Sequence, residues 1–131
     1  MLKVLKFGGS SMADAKQFEK VKSIVQADPE RRVVIVSAAG KRFSDDHKLT
    51  DLLYLCYAHL KYGVSCDTVF DMVRSRYREI RDDLGLKTDL ETEFAALRKK
   101  MDAGISQDEL VSRCEYFAAR LMSDYLGYDF L

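Results

Sequence analysis

Residues 3–11 read K-V-L-K-F-G-G-S-S, and this stretch decides how the rest of the chain is arranged. A short apolar run within it predicts a strand over residues 2–7. Gly8 and Gly9 then break the strand, and a helical pattern follows. Glycines let a ligand approach the backbone closely, and free N–H groups at the start of a helix favour an anion. This order therefore predicts a phosphate site, with Lys6 supplying a positive charge at its mouth.

The same residues are also typical of a tight turn between a strand and a helix, with Ser11 or Asp14 as the helix cap. Two familiar nucleotide loops do not match this stretch. In the P-loop the lysine follows the glycines, whereas Lys6 precedes them, and the third glycine of the dinucleotide fingerprint is missing. The residues alone leave both a phosphate site and a plain turn open.

The next strand completes a parallel unit. Residues 14–27 repeat apolar side chains at helical spacing, and residues 32–37 are almost continuously aliphatic, as expected of a strand covered on both faces. Strand, helix and strand in this spacing predict a right-handed βαβ unit with a parallel sheet. The carboxyl ends of the two strands then lie side by side, which places Lys6 near Ser37. Open α/β sheets bind ligands at that edge.

The remainder of the chain is mainly helical. Residues 38–47 are polar and irregular, which predicts either a loop over the site or a solvated connection. Residues 48–125 predict four helices with apolar stripes. The predicted helices end at three glycines: Gly63, Gly85 and Gly104. Capping boxes are predicted at two starts, Thr88 with Glu91 and Ser106 with Glu109. After the last helix, residues 127–131 predict a helix stop and the first residues of a third strand.

Charged residues occur in two different settings within the predicted helices. The second of the four helices carries interleaved arginines that predict a solvated face: Arg74, Arg76, Arg78 and Arg81. On the last helix, Glu115 lies along the apolar stripe, where a carboxylate must be paired or face a ligand. Periodicity by itself favours a glutamate at the flank of the stripe that reaches solvent.

Composition excludes several classes of protein. The chain has 131 residues, enough for one domain with a modest core, and its 21 basic and 21 acidic residues cancel. This balance does not favour a nucleic-acid partner or an acidic membrane surface. No apolar stretch approaches the roughly 18 residues of a membrane span. Three cysteines without metal-ligand spacing predict reduced thiols in a cytoplasmic protein and no metal site.

Four segments together resemble the amino-acid kinase family, most closely its aspartokinases. In the family's order they are K-F-G-G-S-S at residues 6–11, V-V-I-V-S-A-A-G at 33–40, K-L-T-D-L-L at 48–53 and S-R-C-E-Y-F-A-A at 112–119. The resemblance implies an α/β fold, namely the N-terminal half of a three-layer αβα kinase domain with a short parallel sheet and a long helical excursion. Since the family's catalytic domain is longer, we expect residues 1–131 to be its substrate-binding part, without the ATP-base-binding half or regulatory domains.

The resemblance also implies a reaction. In the full-length protein, ATP with Mg²⁺ would phosphorylate the side-chain carboxylate of L-aspartate to give 4-phospho-L-aspartate, the first step of aspartate-family amino-acid biosynthesis, including that of lysine. Lys6 would be catalytic, and the phosphate-binding residues would be Lys6, Gly8, Gly9 and Ser10. The substrate-binding residues would be Ser37, Thr50 and Glu115.

One residue departs from the family pattern. Cys114 stands where the family has glycine, directly before Glu115, and a side chain there bears on the geometry of the carboxylate. Cys114 as a nucleophile is an alternative, but no histidine lies beside it in the sequence, and phosphoryl transfer to a carboxylate needs no protein nucleophile.

Other functions remain open at this point. The nearest alternative is another member of the family, such as a glutamate, acetylglutamate or carbamate kinase. A different class is a non-catalytic phosphate-binding or helical interaction module. We expect the chain alone to be inactive, and we expect a homo-oligomer because an exposed sheet edge favours assembly.

Overall fold

The computed structural model describes residues 1–131 and confirms the predicted α/β class with a short parallel sheet and a long helical excursion. The strands are β1 (Lys3–Phe7) and β2 (Arg31–Val36). The helices are α1 (Ala15–Gln26), α2 (Leu49–Lys61), α3 (Asp67–Asp83), α4 (Leu90–Asp102) and α5 (Gln107–Leu126), and a 3-10 turn (Gly9–Met12) lies between β1 and α1. None of the helices combines the length and the apolar character that crossing a lipid bilayer requires.

The sheet pairs β1 with β2 in parallel, with Lys6 opposite Ile35 and Phe7 opposite Val36. Side chains alternate between the two faces of a strand. Phe7 and Val36 pack against the helical core, so Lys6 and Ile35 project from the other face. That face is open in this chain, with Ile35 49% and Val4 59% exposed. The prediction that β2 is covered on both faces is therefore wrong here, because the helices build a single core on one side.

The helices, rather than the sheet, supply the hydrophobic core. One cluster of 27 buried residues includes side chains from all five helices, which confirms the predicted apolar stripes. α3 contacts each of the other four helices, as α5 also does. The ring of Phe117 lies 5.7 Å from that of Tyr77 and 4.9 Å from that of Phe94 between centroids. Burying a phenylalanine side chain contributes about 1.5–3 kcal/mol to the free energy of unfolding.

Side-chain oxygens cap three of the helices. Asp14 caps α1, and Ser106 caps α5 as predicted. The predicted capping role of Thr88 is wrong, because Asp89 caps α4 by accepting a hydrogen bond from a backbone N–H three residues on. The Thr88 hydroxyl instead donates to Asp124 on α5. Two adjacent residues with good capping side chains cannot be distinguished by spacing, so tertiary contacts decided between them.

The end of the chain contains the predicted helix stop but no strand. Gly127 adopts the left-handed conformation (φ +73°) that ends α5. The Tyr128 N–H then donates to Ser123 O at 3.1 Å, and its hydroxyl donates to Arg31 O at 3.2 Å. Residues 128–131 form no hydrogen-bonded ladder with β2, so the prediction of a third strand beginning there is wrong for this chain.

Candidate functional site

The carboxyl ends of β1 and β2 meet at one edge of the sheet. The Ser37 N–H donates to Phe7 O at 3.1 Å, and the Gly40 N–H donates to Gly9 O at 2.8 Å. A Cβ atom on Gly40 would lie 2.8 Å from the Gly9 carbonyl carbon, so the two backbones approach as closely as glycine alone permits. These contacts hold the glycine turn, defined as residues 8–11, against residues 37–40.

The glycine turn presents free backbone donors. Its one hydrogen bond of its own runs from the Ser11 N–H to Gly8 O at 3.1 Å, and no turn or loop hydrogen bond is donated by the N–H groups of Gly8, Gly9 and Ser10. The N-terminus of α1 is different, because the Asp14 carboxylate accepts from the Gln17 N–H there at 3.0 Å. An anion at this edge would therefore meet the turn rather than the end of α1.

Lys6 lies directly before the glycine turn and is exposed. Its ammonium group has no ion-pair partner, whereas Lys3 on the same strand is paired with Asp28 at 2.6 Å. An unpaired lysine beside exposed N–H groups makes this edge attractive to a negatively charged ligand.

The N-terminus of α2 lies at the same edge. The Leu49 N–H donates to Ala39 O at 3.1 Å, which anchors the start of the helix to residues 37–40. The residue at the cap position, Lys48, makes no side-chain capping bond, and Thr50 lies half-buried in the first turn. The N-terminus of this 13-residue helix, which carries the positive end of its dipole, therefore lies against residues 37–40.

Tyr77 places α5 beside residues 37–40. Its hydroxyl donates to Cys114 O at 2.6 Å and accepts from the Ala39 N–H at 3.4 Å. Glu115 follows Cys114, so it lies near the carboxyl end of β2. Its side chain is exposed and lines a groove of about 880 Å³ that runs along β2 and α5 and also includes Ser112.

The structure thus gathers the predicted residues at one edge without joining all of them in one cavity. Lys6 does not line the groove that contains Glu115. The convergence of these two side chains on a common hollow stays a prediction. The roles predicted for Gly8, Gly9, Ser10, Ser37 and Thr50 likewise stay predictions, with all five residues placed at or beside this edge.

Cys114 faces the core rather than the groove. The residue is fully buried within the helical cluster. Burial raises the pKa of its thiol, so the sulfur stays protonated and is a poor nucleophile. The side chain that replaces the family's glycine therefore does not enter the groove beside Glu115.

Arg76 is the residue at this edge that the sequence prediction missed. The predicted solvated face is wrong for Arg76, since only 5% of the residue is exposed. Its guanidinium donates to three backbone carbonyls, those of Ala13 at 3.0 Å, Gly40 at 2.7 Å and His47 at 3.1 Å. A signal was present, because Arg76 lies three residues after Val73 on the buried stripe of α3.

Asp46 balances the buried charge of Arg76. Its carboxylate lies 2.7 Å from Arg42 Nε and 3.3 Å from Arg76 Nη1, and only 6% of its side chain is exposed. The hydrogen bond from Arg42, with the charge of Arg76 nearby, holds the pKa of Asp46 well below its ordinary value of 3.8. A carboxylate with a lowered pKa stabilises the fold above its ordinary pKa, and this contribution is lost as the pH falls.

We expect Asp46→Asn to lower the free energy of unfolding by about 1–3 kcal/mol at neutral pH, since a buried donor loses its charged partner. The difference from wild type should begin to shrink toward pH 3, because below the ordinary pKa of 3.8 the carboxyl group binds a proton in the unfolded chain while the folded pair still holds it ionised. Urea unfolding at both pH values measures this. Asp45→Asn changes an exposed neighbour and serves as the control. An equal loss at both pH values would contradict the ionic role.

Comparison with known proteins gives a consistent set of relatives. A family model described as the amino acid kinase family matches residues 1–129. Aspartokinase 3 of Bacillus subtilis (strain 168) is 44% identical over 85 residues, which are 65% of this chain and 19% of that protein.

Solved structures show the same likeness. The aspartate kinase of Clostridium acetobutylicum superposes with a TM-score of 0.92 at 44% identity, covering 95% of this chain and 29% of that one. E. coli aspartokinase III, solved in complex with aspartate and ADP, gives a TM-score of 0.75 at 26% identity, covering 97% of this chain and 29% of that one. The structure of the same enzyme in complex with lysine and aspartate gives a TM-score of 0.78 at 26% identity, covering 96% of this chain and 29% of that one. This chain spans less than a third of the length of these relatives.

Proposed function

The chain belongs to the amino acid kinase family, and from that membership we propose that residues 1–131 form the substrate-binding N-terminal part of an aspartate kinase. The full-length protein would transfer the γ-phosphoryl group of ATP to the side-chain carboxylate of L-aspartate and produce 4-phospho-L-aspartate. The product would enter the biosynthesis of amino acids derived from aspartate, lysine among them. Two points support aspartate as the substrate: the relatives are aspartokinases, and one of them was solved with aspartate and ADP.

One observation carries the proposal most directly. An unpaired lysine, free backbone donors and the N-terminus of a long helix lie together at the carboxyl edge of a parallel sheet. Phosphoryl transfer depends mainly on positioning and on stabilising charge over the phosphate oxygens. Groups of this kind, already ordered before the ligand arrives, are suited to that task.

The proposed reaction assigns each group a task. A carboxylate oxygen of aspartate attacks the γ-phosphorus and forms a new P–O bond, while the bond to the bridging oxygen breaks and ADP leaves with the electron pair. Lys6 and the N–H groups of Gly8 and Gly9 stabilise the charge on the transferring group. Hydroxyl groups that contact phosphate or substrate would come from three residues: Ser10, Ser37 and Thr50. Glu115 binds the ammonium group of aspartate.

Magnesium would accompany the nucleotide. No group of three or more His, Cys, Asp or Glu residues is arranged to hold a metal ion. The residues of this chain therefore do not fit a protein-held Mg²⁺ site, and the phosphates of ATP would bind the ion. The roles proposed for Lys6, the glycine turn and Glu115 do not depend on a protein ligand to it.

A substrate panel tests the function. The full-length protein is incubated with ATP, Mg²⁺ and either aspartate, glutamate, acetylglutamate or carbamate, and ADP release is measured. We expect turnover with aspartate alone. Turnover with a different acceptor would assign the protein to another branch of the family, and no turnover with any acceptor would contradict a kinase function. Residues 1–131 alone should show no turnover, because they supply one part of the site.

Glu115→Gln tests the substrate contact. The change keeps the side chain's shape but removes the charge that binds the substrate ammonium. We expect the KM for aspartate to rise about ten- to a hundredfold, the range for a lost hydrogen bond to a charged group. The kcat and the KM for ATP should change little, as steady-state kinetics would show. Glu109→Gln on the same helix is the matched control, because that carboxylate pairs only with Lys100 at the surface. An unchanged KM for aspartate would remove Glu115 from the substrate site.

Two further expectations concern the whole protein. A homo-oligomer and a cytoplasmic location stay predictions, and gel filtration with light scattering of the full-length protein would test the first.

A further inference from the structure

Two adjacent side chains on α3 connect the segments of the proposed site. Arg76 donates a hydrogen bond to the Gly40 carbonyl, next to the glycine turn. Tyr77 donates one to the Cys114 carbonyl, next to Glu115. We propose that Arg76 and Tyr77 are positioning residues, which set the glycine turn and Glu115 relative to each other without touching the substrates. This proposal rests on the proposed kinase function and adds two residues that lie outside the four motif segments at residues 6–11, 33–40, 48–53 and 112–119.

Arg76 joins two connecting segments that are far apart in sequence, the one before α1 and the one between β2 and α2. Its donors reach carbonyl groups 63, 36 and 29 residues away, at Ala13, Gly40 and His47. The Ala13 carbonyl belongs to the segment before α1, and the carbonyls of Gly40 and His47 lie near the two ends of the segment that connects β2 to α2. A guanidinium can bind all three because its donors point in diverging directions, whereas a lysine ammonium is a single point on a flexible stem.

A chain of hydrogen bonds leads from Arg76 to the glycine turn. The Gly40 carbonyl accepts from Arg76 Nη2 at 2.7 Å, and the Gly40 N–H donates to Gly9 O at 2.8 Å. The guanidinium is therefore separated from the turn by one residue. A shift of Arg76 would move Gly40 and with it the N–H groups proposed to bind phosphate. A misplacement of about 1 Å at a reacting group can reduce the rate about a hundredfold.

Tyr77 connects α5 to residues 37–40. The residue is fully buried, and its hydroxyl joins the Cys114 carbonyl to the Ala39 N–H. Ala39 is also bound through its carbonyl to the first N–H group of α2, at Leu49. One hydroxyl therefore links the helix of Glu115, the end of β2 and the start of α2. Burial raises the pKa of Tyr77, so the hydroxyl stays protonated and keeps its donor.

Paired variants of the full-length protein test the proposal by steady-state kinetics. We expect Arg76→Lys to lower kcat about tenfold to a hundredfold and to raise the KM for ATP, with the KM for aspartate little changed. Tyr77→Phe, which removes one hydroxyl and keeps the ring, should raise the KM for aspartate several-fold and leave the KM for ATP unchanged. Arg78→Lys on the same helix is the control, because Arg78 pairs with Glu91 at the surface.

A second measurement does not depend on activity. Amide hydrogen exchange in Arg76→Lys should accelerate at Gly40 and the residues around it, while amides in the middle of α4 keep their protection. The proposal is overturned if exchange rises uniformly through the core, or if the variants lose activity only in proportion to their folded fraction with both KM values unchanged.

Failure of this proposal can be distinguished from failure of the proposed function. Wild-type protein that does not phosphorylate aspartate would refute the function itself. Active wild type with an unchanged KM for aspartate in Tyr77→Phe would overturn the positioning proposal alone. The KM for aspartate in Tyr77→Phe tests the positioning proposal even if Arg76→Lys does not fold, because the proposal requires both residues.

Discussion

Lys6→Ala in the full-length protein is expected to lower kcat by about 100- to 1,000-fold, the range observed when one group that stabilises transition-state charge is removed. Lys6 is exposed and has no ion-pair partner, so its ammonium group is available to a ligand. The same exposure means that its loss leaves no buried partner unsatisfied. We therefore expect the free energy of unfolding to change by less than about 0.5 kcal/mol.

Lys3→Ala is the matched control for this experiment. Lys3 lies on the same strand and is also exposed, but its ammonium group pairs with Asp28 away from the carboxyl edge. Turnover should be unaffected, and any effect on stability should be that of a surface ion pair, about 1 kcal/mol or less. If Lys6→Ala retained wild-type kcat, Lys6 would have no part in phosphoryl transfer, whatever the reaction proved to be.

Gly40→Ala is expected to reduce both stability and activity. An added Cβ would lie 2.8 Å and 2.9 Å from the carbonyl carbon and oxygen of Gly9 and 3.0 Å from the Ser10 nitrogen, all of them backbone atoms. The backbone must move apart, and forcing an extra methyl into a packed site costs about 1–3 kcal/mol. Because the displaced atoms belong to the glycine turn, we also expect turnover to fall about a hundredfold.

Gly8→Ala is the control for Gly40→Ala. It shows whether a loss of stability comes from crowding at residue 40 or from any alanine in this region. No atom lies within 4 Å of a Cβ at Gly8, and its φ of −79° suits any residue. The free energy of unfolding should therefore stay near that of wild type in Gly8→Ala and fall in Gly40→Ala, as measured by urea denaturation. Equal stability of the two variants would contradict the close approach of Gly9 and Gly40.

Local patterns in the sequence were sufficient for the secondary structure. Apolar spacing predicted β1, α1 and β2 within one residue of their observed bounds and four further helices within residues 48–125, because periodicities of 2 and 3.6 reflect which side chains face a core. The parallel pairing followed from the intervening helix. The cap of α4 could not be assigned in this way, since Thr88 and Asp89 are both good caps and only the contact with Asp124 separates them.

Some residues of the candidate site could likewise be predicted from local sequence, and others could not. Lys6, Gly8 and Gly9 could be singled out from a contiguous stretch, because a strand, a glycine break and a lysine are adjacent in the chain. Arg76 could not be singled out, since its role depends on carbonyl groups from two connecting segments that only folding brings together. An arginine among arginines is by default a surface residue, and the helical spacing that places Arg76 on the buried stripe of α3 does not show which groups it binds.

The sequence by itself determined the α/β class, the order of the elements and the residues around the glycine break, because these depend on neighbours along the chain. Only the tertiary structure decided that the segments of α2 and α5 that carry Thr50 and Glu115 are joined to residues 37–40. It also decided that Arg76 and Tyr77 hold the carboxyl edge of the sheet together and that one face of the sheet is left open. The physical reason is that these features rest on hydrogen bonds and packing between residues tens of positions apart, which local propensity does not encode.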